Sequence, residues 1–173
     1  MWVGRTLDIS PDMLAKIKQL NEQAHGEEFV EDWEHAIGGT HFFFEEGGEP
    51  ISHASVVERL IQAGGHLLRT GYVEAVATRP DRQGSGLGTK IMQAVVVHIR
   101  IGYELGALCT GEHDFYGRLG WETWRGPTFV RTDDVAMRTE DEDGNVMILR
   151  TAATPELNLE DPISCDWRSG DVW

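Results

Sequence analysis

Apolar and polar positions along the chain switch repeatedly between a period of two and a period near 3.6, which predicts strands alternating with helices. Residues 2–7 read as a short first strand. Ser10-Pro11 supplies an N-cap and a proline at the first helical position, and Met13, Leu14, Ile17 and Leu20 then fall on one face of a helix reaching about Gln23. The acidic stretch 26–32 reads as a solvated connection leading into Trp33. Residues 40–45 and 51–60 read as a hairpin turned at Gly47-Gly48, and Gly64-Gly65 turns the chain again into a strand whose centre is 72–78.

After that strand comes Arg79-Pro80-Asp81, which is turn chemistry, then Gly84, Gly86 and Gly88. Leu87, Ile91, Ala94, Val95 and His98 follow at helical spacing, with Gly102 as the stop. Residues 105–110 form the next strand, parallel to 72–78 through a right-handed crossover. A short helix closes at Gly120. Val135-Ala136-Met137 and Val146-Met147-Ile148-Leu149 read as a hairpin around the acidic turn 140–144. Asp161-Pro162 opens a polar tail whose two tryptophans, Trp167 and Trp173, predict that it is docked rather than frayed.

Strand, glycine-rich turn and helix in that order make an anion site, because the first helical amides lack intrahelical partners and glycine lets a ligand approach the backbone. Arg79, Arg82 and Lys90 surround the turn, so a phosphate-bearing ligand is indicated. A P-loop is excluded, since Gly88-Thr89-Lys90 puts the lysine one place late. A dinucleotide fingerprint would need its first glycine directly after the strand and a second βαβ unit, which is not visible.

The length of 173 residues predicts a single domain spanning 1–173. No run approaches the ~18 apolar residues of a membrane span, and no signal peptide is recognisable at the start, which predicts a cytoplasmic protein. Cys109 and Cys165 are too few for a disulfide framework or a zinc site, so no metal is expected. A net charge of −14 makes nucleic acid and anionic membrane poor partners and favours a polycationic small molecule.

Gln83-Gly84-Ser85-Gly86-Leu87-Gly88 resembles the coenzyme-binding signature of the GNAT acetyltransferase superfamily, Gln/Arg-x-x-Gly-x-Gly/Ala. Tyr116-Gly117-Arg118-Leu119-Gly120-Trp121 resembles its second recurring motif, Tyr-x-x-x-Gly-Phe/Trp. The resemblance implies an α/β (α+β) GNAT fold: a mixed central β-sheet flanked by helices, with a β-strand splay holding acetyl-coenzyme A as co-substrate. Further stretches resemble one branch, the aminoglycoside 2′-N-acetyltransferases. They are Asp32-Trp33-Glu34-His35, Gly38-Gly39-x-His41, Gly71-Tyr72-Val73-Glu74, Leu105-Gly106-Ala107-Leu108, Trp124-x-Gly126 and Cys165-Asp166-Trp167-Arg168-x-Gly170-Asp171-x-Trp173.

By that resemblance, Val76, Ala77 and Thr78 with Gln83, Gly84, Ser85, Gly86, Leu87 and Gly88 bind the coenzyme. Glu74, Ala75, Cys109, Glu142, Asp171 and Trp173, with an acid from Glu27 or Glu28, line the site of an aminoglycoside. Polyamines need such carboxylates. Glu74, directly or through water, is the implied base, Tyr116 the acid that protonates the departing thiolate, and the Trp173 carboxylate a further catalytic group. The Val76 amide is implied to meet the thioester carbonyl. Cys109 and Thr110 stand where the family usually has serines that touch the sugar, which leaves gentamicin-type and kasugamycin-type drugs both open. A homodimer is implied as well. The alternatives are a GNAT enzyme of another small amine or peptide, and a non-catalytic acetyl-coenzyme A sensor.

Overall fold

Ser10 opens the first helix as its sequence position suggests, its hydroxyl accepting from the Met13 amide at 3.2 Å. This is seen in a computed structural model, which describes residues 1–25, 30–132 and 135–173. Helix α1 runs Pro11–His25 and α2 Val30–Ala36; part of the stretch read as an acidic connection is therefore helical. Strands β1 (Trp2–Arg5), β2 (Thr40–Glu46), β3 (Glu49–Ala63) and β4 (His66–Thr78) surround them in the chain. Then come α3 (Leu87–Gly102), β5 (Leu105–Cys109), α4 (His113–Gly117), β6 (Glu122–Thr123), β7 (Thr128–Arg131), β8 (Ala136–Arg138), β9 (Val146–Arg150) and β10 (Ile163–Asp166).

The chain gathers into two compact units, residues 1–57 with 73–97 and residues 58–72 with 98–173. In the first, β1 pairs antiparallel with β2, and β2 with β3 from Thr40↔Val56 to Glu46↔Glu49. Its core gathers Ile9, Ile17, Trp33, Ala36, Phe43 and Ala75, with Trp2, Met13 and Leu14 packed against them. These side chains lie on the apolar stripe of α1, on α2 and on strand faces, so burying them folds helices against sheet.

In the second unit β4 and β5 are parallel, Thr70↔Leu105 through Tyr72↔Ala107, as the crossover rule predicts. Two glycines face each other in that register, Gly71 and Gly106. A Cβ at Gly71 would stand 2.9 Å from the Tyr103 ring and 3.0 Å from Ile99, and one at Gly106 3.1 Å from Ile99. The pair lets the end of α3 lie close on the strands. Sheet pairing continues antiparallel from β5 to β9 and from β9 to β6, while β10 joins β3 antiparallel and β7 parallel. The sheet is mixed and helices flank it.

The hairpin expected between 135–137 and 146–149 does not form. β8 pairs with β7, and β9 pairs with β5 and β6. Burial explains the choice: Val146, Met147, Ile148 and Leu149 are all at most 1% exposed, a run suited to a strand covered on both faces. β8 is exposed throughout and takes an edge. The tail begins with a strand as well, since Ile163 to Asp166 enters the sheet as β10. Among the described residues, no helix is long and apolar enough to cross a membrane.

Candidate active site

The first unit holds the implied coenzyme-binding residues. β4 ends at Thr78, residues Pro80–Arg82 make a 3-10 turn, and α3 starts at Leu87. Gly84 and Gly86 adopt φ of 72° and 80°, and a Cβ at either would meet nothing within 4 Å. Such a turn is open on the side a phosphate would approach and offers helical amides beside it, so the residues present fit a pyrophosphate. Gly86 receives the first helical bond, from the Lys90 amide at 3.1 Å. Gln83 reaches back to the Thr78 carbonyl at 3.3 Å and fixes the turn to the strand end. Arg79 and Arg82 are not idle cations: Arg79 pairs with Asp81 at 2.5 Å and Arg82 with Glu46.

The strand before the turn is unusual. Ala75 has φ of 53°, the one positive value outside glycine among the described residues, and a left-handed alanine costs about 1–2 kcal/mol. Its methyl is packed in the core, so the strain is held by burial. Four successive carbonyls are met by side chains here. Glu74 accepts from Ser55 at 3.3 Å, Ala75 from His53 at 2.8 Å, Val76 from His25 at 2.9 Å and Ala77 from Ser52 at 3.1 Å. Glu74 itself is 8% exposed.

Behind Ala75 stands a row of buried polar groups. His53 Nε2 lies 2.9 Å from His41 Nδ1, and His41 Nε2 lies 2.8 Å from the Thr6 hydroxyl. Burial drives both rings toward the neutral form, His41 down to about 4 and His53, further opposed by His41, to about 3. None of these four side chains, Ser52, His53, Ser55 or His41, was singled out for a part in the site from sequence alone. The signals were the Gly38-Gly39-x-His41 stretch for His41 and, for the other three, the polar residues Ser52, His53 and Ser55 in the strand read over 51–60.

Tyr116 lies in the second unit on α4, buried edge-to-face against Phe115 and Trp121. Burial, and then the Glu112 carboxylate, push its phenol up to about 12, so it keeps its proton at neutral pH. The acids come together around Cys109. Its thiol donates to Glu142 at 3.1 Å, and burial together with Glu142 and Asp171 drives it well above the usual thiol range. Glu142 sits in a 3-10 turn, Glu140–Glu142, fastened by the next residue. Asp143 accepts from the Thr128 amide at 2.9 Å and from Arg138 at 2.7 Å, which holds its carboxyl well below the usual range.

The tail is docked. Trp173 is buried and its indole donates to Thr139 at 3.0 Å, while its amide donates to Asp171 at 3.2 Å. Arg168 donates to the Asp171 carbonyl at 2.8 Å and the Trp173 main-chain oxygen at 3.2 Å. Arg59, 5% exposed, donates to Asp166 and to the Val172 carbonyl at 2.8 Å, and both guanidiniums lie over the Tyr72 ring at 4.9 and 5.5 Å. Sequence reasoning missed Arg59, since an arginine on a strand reads as solvent-facing. Thus Cys109, Glu142, Asp171 and Trp173 belong to one neighbourhood of the second unit, Glu74–Thr78 and 83–88 to the first, and Glu27 and Glu28 lie outside the described residues. Among the described residues, no group of three His, Cys, Asp or Glu side chains is arranged to hold a metal ion.

The first unit thus carries a glycine turn opening a helix with a strained strand before it, and the second a proton-bearing tyrosine, the features that the resemblance to acetyl-coenzyme A-dependent acyltransferases implied. The acetyltransferase (GNAT) domain family matches residues 15–124. The aminoglycoside 2′-N-acetyltransferase of Mycolicibacterium fortuitum is 44% identical over 146 residues, which is 82% of this chain and 75% of that protein. Among solved structures, the GNAT acetyltransferase YhbS of Escherichia coli in complex with CoA superposes with a TM-score of 0.64, covering 95% of this chain and 88% of that one at 15% identity. The GCN5-related N-acetyltransferase of Kribbella flavida superposes at 0.57 and 22% identity over 73% of this chain, which spans only 33% of that protein. The chain belongs to the GNAT acetyltransferase family and is an acetyl-coenzyme A-dependent acyltransferase.

Proposed function

We propose that this protein transfers the acetyl group of acetyl-coenzyme A to the 2′-amine of an aminoglycoside, inactivating the antibiotic. The observation that carries this reading is the acid neighbourhood of Glu142 and Asp171 around Cys109, held by a docked tail, in a chain 44% identical to an enzyme named for that activity. An acidic lining suits a polyamine, whose ammonium groups gain most from carboxylates held in place.

The coenzyme supplies an activated thioester carbonyl when bound. Gly84 to Gly88 and the first amides of α3 hold its pyrophosphate, and the Val76 amide donates to the carbonyl oxygen as negative charge develops there. Glu74 removes the proton of the attacking ammonium, directly or through one water, and Tyr116 donates its proton to the departing sulfur. The amine attacks directly and no acyl-enzyme is invoked, since burial, Glu142 and Asp171 hold the Cys109 thiol protonated and make it a poor nucleophile. Asp171, Glu142 and one of Glu27 and Glu28 bind the remaining ammonium groups, with Trp173 fixing the position of Asp171. One catalytic domain, 1–173, in a cytoplasmic homodimer completes the proposal.

Thiol release from acetyl-coenzyme A, measured against aminoglycosides with and without a 2′-amine and against kasugamycin, tests it. Turnover confined to 2′-amino compounds is the expected result. Coenzyme binding without turnover of any drug would sink it in favour of another amine substrate or a sensor.

A further inference from the structure

We propose that Thr6, His41 and His53 form a directional hydrogen-bond relay that positions and polarises the Ala75–Val76 peptide, making His53 a positioning residue for acyl transfer. The inference rests on the proposed role of the Val76 amide as donor to the thioester carbonyl.

The direction of the relay follows from what each atom can do. The Ala75 carbonyl only accepts, so His53 Nδ1 carries the hydrogen of the 2.8 Å bond. With that ring neutral, Nε2 presents a lone pair, and His41 Nδ1 must donate across 2.9 Å. His41 Nε2 then accepts from the Thr6 hydroxyl at 2.8 Å, and Thr6 in turn accepts from the Gly38 amide at 2.9 Å. Every donor in the row points toward Ala75. One tautomer of each histidine satisfies the four bonds of this row; Asn21 Nδ2, 3.5 Å from His53 Nδ1, then donates only to the Ile17 carbonyl at 2.9 Å, and Trp33 packs on both rings at 6.1–6.2 Å between centroids.

The end of the row is the informative place. The carbonyl that His53 binds and the Val76 N–H belong to the same peptide group. A donor on the oxygen of a peptide draws electron density from its nitrogen and strengthens the N–H as a donor, by about 10–30% per bond in a chain. It also fixes the peptide plane. That matters here because Ala75, the residue whose carbonyl His53 binds, has φ of 53°, a conformation that surrounding contacts must hold in place. Burying two histidines merely to fill a core would not require the row to finish on a strained peptide at the acyl-binding position. Ser55 and His25, on the carbonyls either side, brace the neighbouring peptides in the same way.

The test compares wild type, His53→Ala and His53→Asn, whose side-chain amide nitrogen stands near the place of Nδ1. Folding is checked by circular dichroism. The readouts are the carbonyl stretch of acetyl-coenzyme A labelled with carbon-13 at the thioester, the Kd values of acetyl-coenzyme A and free coenzyme A, and kcat and KM. None of the first two needs an aminoglycoside. Binding to wild type is expected to lower the stretch. His53→Ala should lose most of that shift and about 10- to 100-fold in kcat, short of the loss of an oxyanion donor itself, while the free coenzyme A Kd stays within about threefold. His53→Asn should recover much of both. A wild-type shift kept in full by His53→Ala would overturn the relay alone. No shift in the wild type would overturn the Val76 reading and the relay with it. Should His53→Ala fail to fold, Thr6→Val, at the partly exposed outer end, carries the test: a smaller loss of shift supports the relay, and none overturns it.

Discussion

The thiol of Cys109 donates to the Glu142 carboxylate across 3.1 Å, with the Asp171 charge adding to the same field. Burial first, and then these two charges, hold the cysteine in its protonated, unreactive form. Because the thiolate is the reactive species, iodoacetamide at pH 8 should label native Cys109 about 100-fold or more slowly than free cysteine. Glu142→Gln removes one of the charges that raise the thiol, so labelling should speed up. Mass spectrometry of timed samples decides it, and equal rates for wild type and variant would count against the pairing.

Tyr116 carries its proton well past neutrality, its phenol pushed up to about 12 by burial and Glu112. Tyr116→Phe should lower kcat by about 10²- to 10⁴-fold with little change in coenzyme Kd. In the wild type, kcat should show no alkaline decline below pH 10 from this group. A decline near pH 9 that vanishes in Tyr116→Phe would contradict the environment described for the phenol.

The docked tail predicts a separation of effects. Deleting residues 171–173 removes Asp171 and frees Thr139 of its indole partner, and should raise the aminoglycoside KM by about 10- to 100-fold, the loss of a hydrogen bond to a charged group. Arg59→Met should loosen the same segment from behind. Its cost to folding is about 1–2 kcal/mol, below that of a fully buried pair because Asp166 is 47% exposed. Steady-state kinetics and limited proteolysis of the last residues read the two variants, and an unaltered KM in both would remove the tail from substrate binding.

Gly86 has φ of 80° and open space where a side chain would stand. Gly86→Val adds strain of about 1–2 kcal/mol and fills the place a phosphate would take. Coenzyme affinity should fall below detection by calorimetry while circular dichroism stays native. Retained binding would put the pyrophosphate elsewhere.

The buried histidines make stability depend on pH. His41 and His53 sit at about 4 and 3 when folded, against an ordinary 6.5. As pH falls below about 6.5 the unfolded chain takes up protons that the folded one refuses, so stability declines from there down to about pH 4 for the His41 share and about pH 3 for the His53 share. Tm should fall steadily between pH 7 and 4.5, and His53→Asn should flatten the slope. A slope unchanged by that variant would assign the acid sensitivity to other groups.

Local signals carried far in this chain. Ser10-Pro11 starts a helix, the glycines at 84, 86 and 88 open another, and the parallel pairing of β5 with β4 follows from the crossover, because each depends on neighbours in sequence. Pairing between distant segments was less legible. An apolar run such as 146–149 is equally consistent with a hairpin partner or a central strand, and only competition for burial sent it to β5 while β8 went to β7.

The sequence by itself determined the family and the strand–turn–helix order around Gly84 and Gly86, since these lie in contiguous motifs whose backbone conformation is set within a few residues. Tertiary structure alone decided that Ala75 takes a positive φ, that His53 and His41 line up behind it, and that Arg59 clasps the tail. Each of those joins side chains far apart in the chain, and their cost, a strained alanine, two neutral histidines and a buried guanidinium, is offset only where packing brings the partners together.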